Sequence, residues 1–187
     1  MDRTQDWDRD RDELRLHGGT DGHGGTDGHS GPSGHPPHLQ EQARAMLATA
    51  VAEARAGLAE GGIPIGAALF GADGVLWGRG HNRRIQDGDP TMHAETAAFR
   101  AAGRRRSYQG TTMVTTLSPC WYCCGLVRQF GISRVVIGEA RTFHGGHDWL
   151  ARHGVRIVLL DDPGCVEMMR EFIGAHPALW HEDIGVD

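Results

Sequence analysis

His93 and Glu95 stand two residues apart, and Pro119-Cys120-Trp121-Tyr122-Cys123 follows downstream. One imidazole and two thiols are three good ligands for zinc, and the carboxylate is an ionisable group that need not bind it. Zinc held tetrahedrally by three protein groups keeps its fourth position for water, the arrangement of catalytic rather than structural zinc. Cys120 and Cys123 fall where a helix is expected to begin, so they share one face and can reach a single ion. A helix N-terminus also favours negative charge, which makes both easier to hold as thiolates. Glu95 would then take a proton from the metal's water and pass it on, as a general base and acid. The spacing sets a condition. Residues two apart on a regular helix point apart, so His93 must reach the ion from one side of the helix start while Glu95 flanks the water.

Other residue types near this motif are weighed against it. Cys124 is four residues from Cys120 and could close the site as a structural three-Cys-plus-His centre; it reads better as a small packed hydrophobe. A dithiol redox pair would make the His-x-Glu superfluous. Cys165 reads as core. His81 and Arg104-Arg105-Arg106 read as solvated surface and are given no role.

The positioning elements follow from periodicity. Ala43, Met46, Leu47, Ala50, Val51, Ala54 and Leu58 recur at three and four, an amphipathic helix stopped by Gly61-Gly62. Ile65 to Phe70, a turn at Gly71 to Gly74, and Val75 to Gly80 make a hairpin. His81 to Asp89 reads as polar loop. Asp89 or Thr91 is expected to cap the next helix, through Ala102, with Pro90 in its first turn. Thr112 to Thr116 is a strand, and Ser118 with Pro119 is expected to start a helix running to Phe130. Arg134 to Ile137 and Arg156 to Leu160 are strands around a short helix near Asp148 to Arg152. Pro163 to Ile173 and Pro177 to His181 close the chain as helices. This order predicts a layered α/β domain with helices on both faces of a mixed sheet. Its site should lie beyond the carboxyl ends of the strands, where both motifs fall.

Residues 1–38 differ from the rest. Asp and Arg alternate, then Gly18 to His23 is repeated directly as Gly24 to His29. Five of the chain's 12 His lie here (His17, His23, His29, His35, His38). With almost nothing apolar to bury, ordering this stretch has no return, and it reads as a disordered leader rather than a metal-sequestering tract. Residues 39–187 form the catalytic domain. The 187 residues suit one ordinary domain. All 19 basic residues are Arg, so no lysine is available for Schiff-base chemistry. No window approaches a membrane span, and the charged N-terminus is unlike a secretory signal. Four Cys, two in a metal-type pair, fit a reducing cytoplasm. A formal charge of −5 argues against a surface that tracks phosphates, so the expected partner is a small molecule and not a nucleic acid.

Asn82 can donate and accept at once, as the edge of a pyrimidine or purine demands, although alone it would more often be a turn residue. The His-x-Glu and Pro-Cys-x-x-Cys pair is the signature of zinc-dependent base deaminases. Beyond it, Pro64-Ile65-Gly66, Gly78-Arg79-Gly80-His81-Asn82, Thr115-Thr116-Leu117-Ser118-Pro119-Cys120, Gly138-Glu139 and the ending Trp180-His181-Glu182-Asp183-Ile184-Gly185 resemble the fungal-type cytosine deaminases of the cytidine deaminase-like superfamily. The likeness runs from about Gly62 to Asp187. It implies a three-layer α/β/α sandwich with a five-stranded mixed sheet, a Zn2+ cofactor on His93, Cys120 and Cys123, and Glu95 as the catalytic proton shuttle. It also implies that Asn82 reads the O2/N1 edge of the ring, that the backbone of Ala94 and Ser118 frames it, and that Asp183 accepts from the exocyclic amine. Phe143, Trp180, Ile184 and Ile65 would wall the pocket, with the C-terminal segment as its lid, in a cytoplasmic homodimer that converts cytosine to uracil and ammonia. The chain departs from that pattern in Ala94, where the family has Gly, and in the bulky Trp121-Tyr122. Those departures keep other aminated rings open as substrates: guanine, isocytosine or a triazine. A non-catalytic zinc-stabilised binding module is the remaining alternative.

Overall fold

The computed structural model describes residues 37–186. Pro37 and His38, read with the leader from sequence, open the first helix; the rest of the leader lies outside the described residues. The element order is α1 (Pro37–Ala59), β1 (Gly66–Phe70), β2 (Leu76–His81), α2 (Arg84–Asp87), α3 (Ala94–Ala102) and β3 (Thr112–Leu117), then α4 (Trp121–Gln129), β4 (Arg134–Glu139), α5 (His147–Arg152), β5 (Arg156–Leu159), α6 (Pro163–Ala175) and α7 (Pro177–Ile184).

The five strands lie in the order β2-β1-β3-β4-β5. β1 runs antiparallel to both β2 and β3, and β3, β4 and β5 are parallel, so the sheet is mixed. Strand side chains alternate between its two faces. Ala68, Phe70, Val114, Val136 and Val158 pack on Ala43, Met46, Leu47 and Ala50 of α1 and on Cys165 of α6. Ala67, Leu69, Met113, Leu117, Val135 and Ile137 pack on α3, α4, α5 and Trp180 of α7. Each fully buried Val, Leu or Ile is worth roughly 1.5–3 kcal/mol relative to exposure, so the two layers of core hold the helices firmly to the sheet. Two glycines permit that approach. A Cβ on Gly66 would lie 2.0 Å from the Ala50 carbonyl oxygen of α1, and one on Gly78 would lie 2.3 Å from the Ala102 nitrogen of α3.

Four local expectations are corrected. The polar loop after β2 contains the short helix α2. Asp89 does not cap α3; its carboxylate accepts from the backbone N–H and hydroxyl of Thr91 at 2.8 and 2.7 Å, a local turn that competes with capping. His93 is the N-cap of α3, and Cys120 rather than Ser118 is the N-cap of α4. His81 is buried, not solvated, and its two ring nitrogens meet Glu53 and Glu60 of and just beyond α1 at 3.1 and 3.2 Å.

One edge of the sheet collects the site. Ala67 pairs with Thr115 and Gly66 with His81, so the start of β1 adjoins the ends of β2 and β3. Leu117 pairs with Glu139 at the end of β4. Ile65, Asn82, Ser118 and the turn leading to Phe143 therefore emerge together. The helix starts that carry His93 and Cys120 lie at the same edge.

Candidate active site

The two metal-type motifs meet through their helix caps. His93 has extended backbone angles (φ −71°, ψ 163°) and stands just outside α3, while Glu95 lies inside its first turn. The rule that i and i+2 point apart applies within a helix. Because His93 is not helical, its ring and the Glu95 carboxylate can converge, and the condition set by the spacing is met. Cys120 is likewise extended (φ −67°, ψ 173°), with Cys123 in the first turn of α4 behind it.

His93 Nδ1 lies 3.4 Å from Cys120 Sγ and 3.7 Å from Cys123 Sγ. Zinc–sulfur and zinc–nitrogen bonds at a tetrahedral angle require a separation of about 3.6 Å. The three side chains therefore fit a tetrahedral ion, and among the described residues they form a three-membered ligand cluster. Cys124 does not join it. Its thiol is turned to the Pro119 carbonyl at 3.5 Å, and burial pushes it up to about 12, as befits a packed side chain.

The three ligand side chains share their protons. The bond from Cys123, against the opposing effect of burial, and then the His93 ring draw the Cys120 thiol down to about 4. Burial works against a charged His93, yet its bond to Cys120 and the charge there raise it to about 9. Cys123 is held as a thiol, far above its ordinary range, by its bond to Cys120 and by burial. These are the protons that a divalent ion displaces when such ligands bind it.

Glu95 stands at the rim of the cluster, with Oε2 3.3 Å from Cys123 Sγ. Its other oxygen accepts from the hydroxyl of Thr115 at 3.2 Å. Burial, reinforced by the charge at Cys120, raises the carboxyl above its ordinary value, which brings a carboxylate closer to the pKa suited to a two-way proton carrier. The sequence reading placed Thr115 in a strand but gave it no role. Strand alternation was the available signal, since Thr115 follows Met113 on the face that α3 covers.

Beside this rim is a small cavity. It is lined by Ile65, Asn82, Ala94, Ser118, Phe143, Trp180, Asp183 and Ile184, together with His93, Glu95, Cys120 and the unforeseen Leu117. Asn82 Nδ2 donates to Asp183 Oδ1 at 3.0 Å, while Asn82 Oδ1 accepts from the Arg84 backbone N–H at 3.0 Å. The Asn82 amide is thereby oriented with its carbonyl occupied and one N–H unspent. Burial raises the Asp183 carboxyl, opposed by His93 and by the bond from Asn82. Phe143 and Trp180 meet edge to face, with ring centroids 5.7 Å apart. The turn that delivers Phe143 is built on Glu139, fully buried, whose carboxylate accepts from the backbone N–H groups of Arg141 and Thr142 at 2.6 and 3.0 Å. Trp121 and Tyr122 do not line the cavity. Both are exposed, Trp121 against Trp149 and Tyr122 edge-on to the His93 ring.

The chain is 41% identical over 141 residues to a cytosine deaminase of Candida albicans, covering 74% of this chain and 94% of that protein. Among solved structures, a tRNA:A34 deaminase studied for A-to-I editing is 25% identical with a TM-score of 0.59, over 67% of this chain and 99% of that one. A guanine deaminase from Nitrosomonas europaea, 22% identical with a TM-score of 0.56 over 80% of this chain and 100% of that one, shares the fold. The family model of the cytidine and deoxycytidylate deaminase zinc-binding region matches residues 40–139. That span holds His93, Glu95, Cys120 and Cys123, the four groups the two helix caps bring together, and the chain belongs to the zinc-binding cytidine and deoxycytidylate deaminase family.

Proposed function

We propose that the protein is a zinc-dependent hydrolase of a free nucleobase, converting cytosine to uracil and ammonia. The observation that carries this reading is the Asp183 carboxylate, brought by the C-terminal helix into the cavity that holds Glu95 and joined there to Asn82. The relative in Candida albicans, similar along nearly its whole length, supports the choice of base.

His93, Cys120 and Cys123 would hold the metal, which when bound would lower the pKa of water and make it a nucleophile near neutral pH. Glu95 takes a proton from the attacking water on Oε2 and delivers it to the ring nitrogen as the C–O bond forms; it then carries the proton of the new hydroxyl to the exocyclic amine, which leaves as ammonia as the C–N bond breaks, with Thr115 holding the other oxygen in place. Asn82 donates its unspent N–H to the ring carbonyl. Asp183 accepts from the exocyclic amine, which orients the carbon that bears it. The backbone of Ala94, first in its helix and so without an intrahelical acceptor for its N–H, frames the ring with Ser118. Because only the backbone of Ala94 is used, its methyl is no obstacle. Ile65, Phe143, Trp180 and Ile184 give apolar walls that exclude water from the ring faces.

α7 contributes Trp180, Asp183 and Ile184 to the lining, so this helix helps enclose the base, which suits a free base better than one tethered to a polynucleotide. Exposed Trp121 and Tyr122 give apolar surface for a second copy, in keeping with a homodimer. Among the described residues no helix is long and apolar enough to cross a membrane; the thiol-based site suits the reducing cytoplasm. A substrate panel of cytosine, isocytosine, guanine, an aminotriazine and cytidine, read by ammonia release, tests the assignment. Cytosine should give the highest kcat/KM, and faster turnover of guanine would overturn the choice of base.

A further inference from the structure

A second group of metal-ligating side chains lies outside the pocket, on the segment that leaves Phe143. We propose that His144, His147 and Asp148 form a separate binding site for a divalent first-row transition metal. One ligand atom from each can be chosen so that all lie within 4.8 Å of one another. His144 Nε2 is 3.0 Å from Asp148 Oδ2, and His147 Nε2 is 3.6 Å from Asp148 Oδ1. Nitrogen and oxygen ligands on one tetrahedral zinc-sized ion stand about 3.3 Å apart, and the two imidazole-to-carboxylate separations, one to each oxygen, lie close to that.

An ordinary surface ion pair needs only His144 and Asp148, which are four apart at the start of α5 and both exposed. His147 is what such a pair does not explain. Its ring is buried, its Nδ1 lies 2.7 Å from Ser118 Oγ, and its Nε2 faces the Asp148 carboxylate. Ser118 Oγ also accepts from the Gly145 N–H at 3.0 Å, so the ring is pinned from behind. A histidine ligand with its far nitrogen tied to a fixed partner is the usual outer-shell arrangement of metal sites, and it sets both the tautomer and the ring orientation.

The backbone beneath the cluster is equally constrained. A Cβ on Gly145 would lie 2.1 Å from the Pro119 carbonyl oxygen, and one on Gly146 would lie 2.8 Å from Cys124 Sγ. The segment is thus pressed against the turn that carries Cys120, and the donors need little reorganisation to converge. Two imidazoles and one carboxylate, with no thiolate, favour copper, nickel, cobalt or zinc over magnesium or calcium. Metal at Nε2 requires the proton on Nδ1, so occupancy makes His147 the donor to Ser118, a residue of the pocket lining.

The test uses the full chain, stripped of metal and titrated with Co2+, with bound metal measured by equilibrium dialysis and thiolate-to-cobalt charge transfer followed in the near ultraviolet. The double variant His144→Ala/Asp148→Asn should keep the thiolate band. Its second equivalent should weaken by more than the ~10–100-fold typical of losing an outer-shell partner. The histidines of residues 1–36 are common to both proteins and cancel. Equal binding by wild type and variant would overturn the proposal, and so would loss of the thiolate band together with the second equivalent, because the residues would then serve the first site.

Discussion

Asn82 Nδ2 donates to Asp183 Oδ1 across 3.0 Å and joins the end of β2 to α7 inside the cavity. The bond is directional in its consequences. The Arg84 N–H holds the Asn82 carbonyl, which fixes the amide and leaves its second N–H to offer to a ligand. The carboxylate keeps lone pairs for a second donor, and an aromatic amine is such a donor. An acceptor and a donor at fixed separation are what read one edge of a small ring.

Replacing Asp183 removes the acceptor and leaves the Asn82 amide without its partner. Asp183→Ala should lower kcat/KM for cytosine by about 10²-fold, in line with the cost of unpaired buried polar groups in a discriminating site. The fold should survive, since α7 is anchored by Trp180 within the core. Steady-state kinetics with a thermal melt checks both halves. Retained kcat/KM would remove Asp183 from the substrate contacts.

Glu95→Gln keeps the shape of the side chain and the acceptor for Thr115 but cannot carry the proton. Turnover should fall by at least ~10²-fold, as for other lost general acids and bases, with bound zinc unchanged. Metal analysis alongside single-turnover rates separates this from a structural role. A variant that lost zinc as well would make Glu95 part of the ligand set.

Thr115→Val tests whether the carboxylate must be held. The valine methyl replaces a buried hydroxyl that donates to Glu95 Oε1 at 3.2 Å, so one buried acceptor loses its partner, at a cost of about 1–3 kcal/mol. Because Thr115 orients Glu95 and is not among the cavity-lining residues, kcat should drop by ~10-fold with KM nearly unchanged. Thr115→Ser should recover most of the rate. A rise in KM alone would show that the strand, not the carboxylate, had been disturbed.

Most of the fold was legible because its elements are strongly periodic or strongly punctuated. The α1 stripe, the glycine turn of the hairpin and the proline starts of α6 and α7 all read correctly. Helix caps did not. Asp89 and Ser118 have the chemistry of caps, but each spends its oxygen elsewhere, Asp89 on Thr91 and Ser118 on His147 and Gly145. His93 and Cys120, poor caps by propensity, occupy those positions and point their side chains at a common centre. The pocket residues taken from the family likeness come together in one cavity. What stayed hidden was the support behind them. Thr115, Glu139 and His147 act through partners 20, 3 and 29 positions away, and the two long-range pairings leave no local trace in a single sequence.

Metal removal should separate the catalytic centre from the scaffold. The domain buries two core layers that use none of the three ligands, although Cys123 is itself fully buried. A chelator should therefore abolish turnover while leaving a folded chain, unlike a small zinc module that unfolds without its ion. Stability should still fall, because the ion binds only the native arrangement; free zinc at a thousand times its Kd stabilises by ~4 kcal/mol. Calorimetry before and after chelation should show a lower Tm with a cooperative transition intact, and added Zn2+ should restore both Tm and rate. Collapse of the transition on chelation would mean that His93, Cys120 and Cys123 hold the fold together, and the reading of this centre as an open catalytic site would fail.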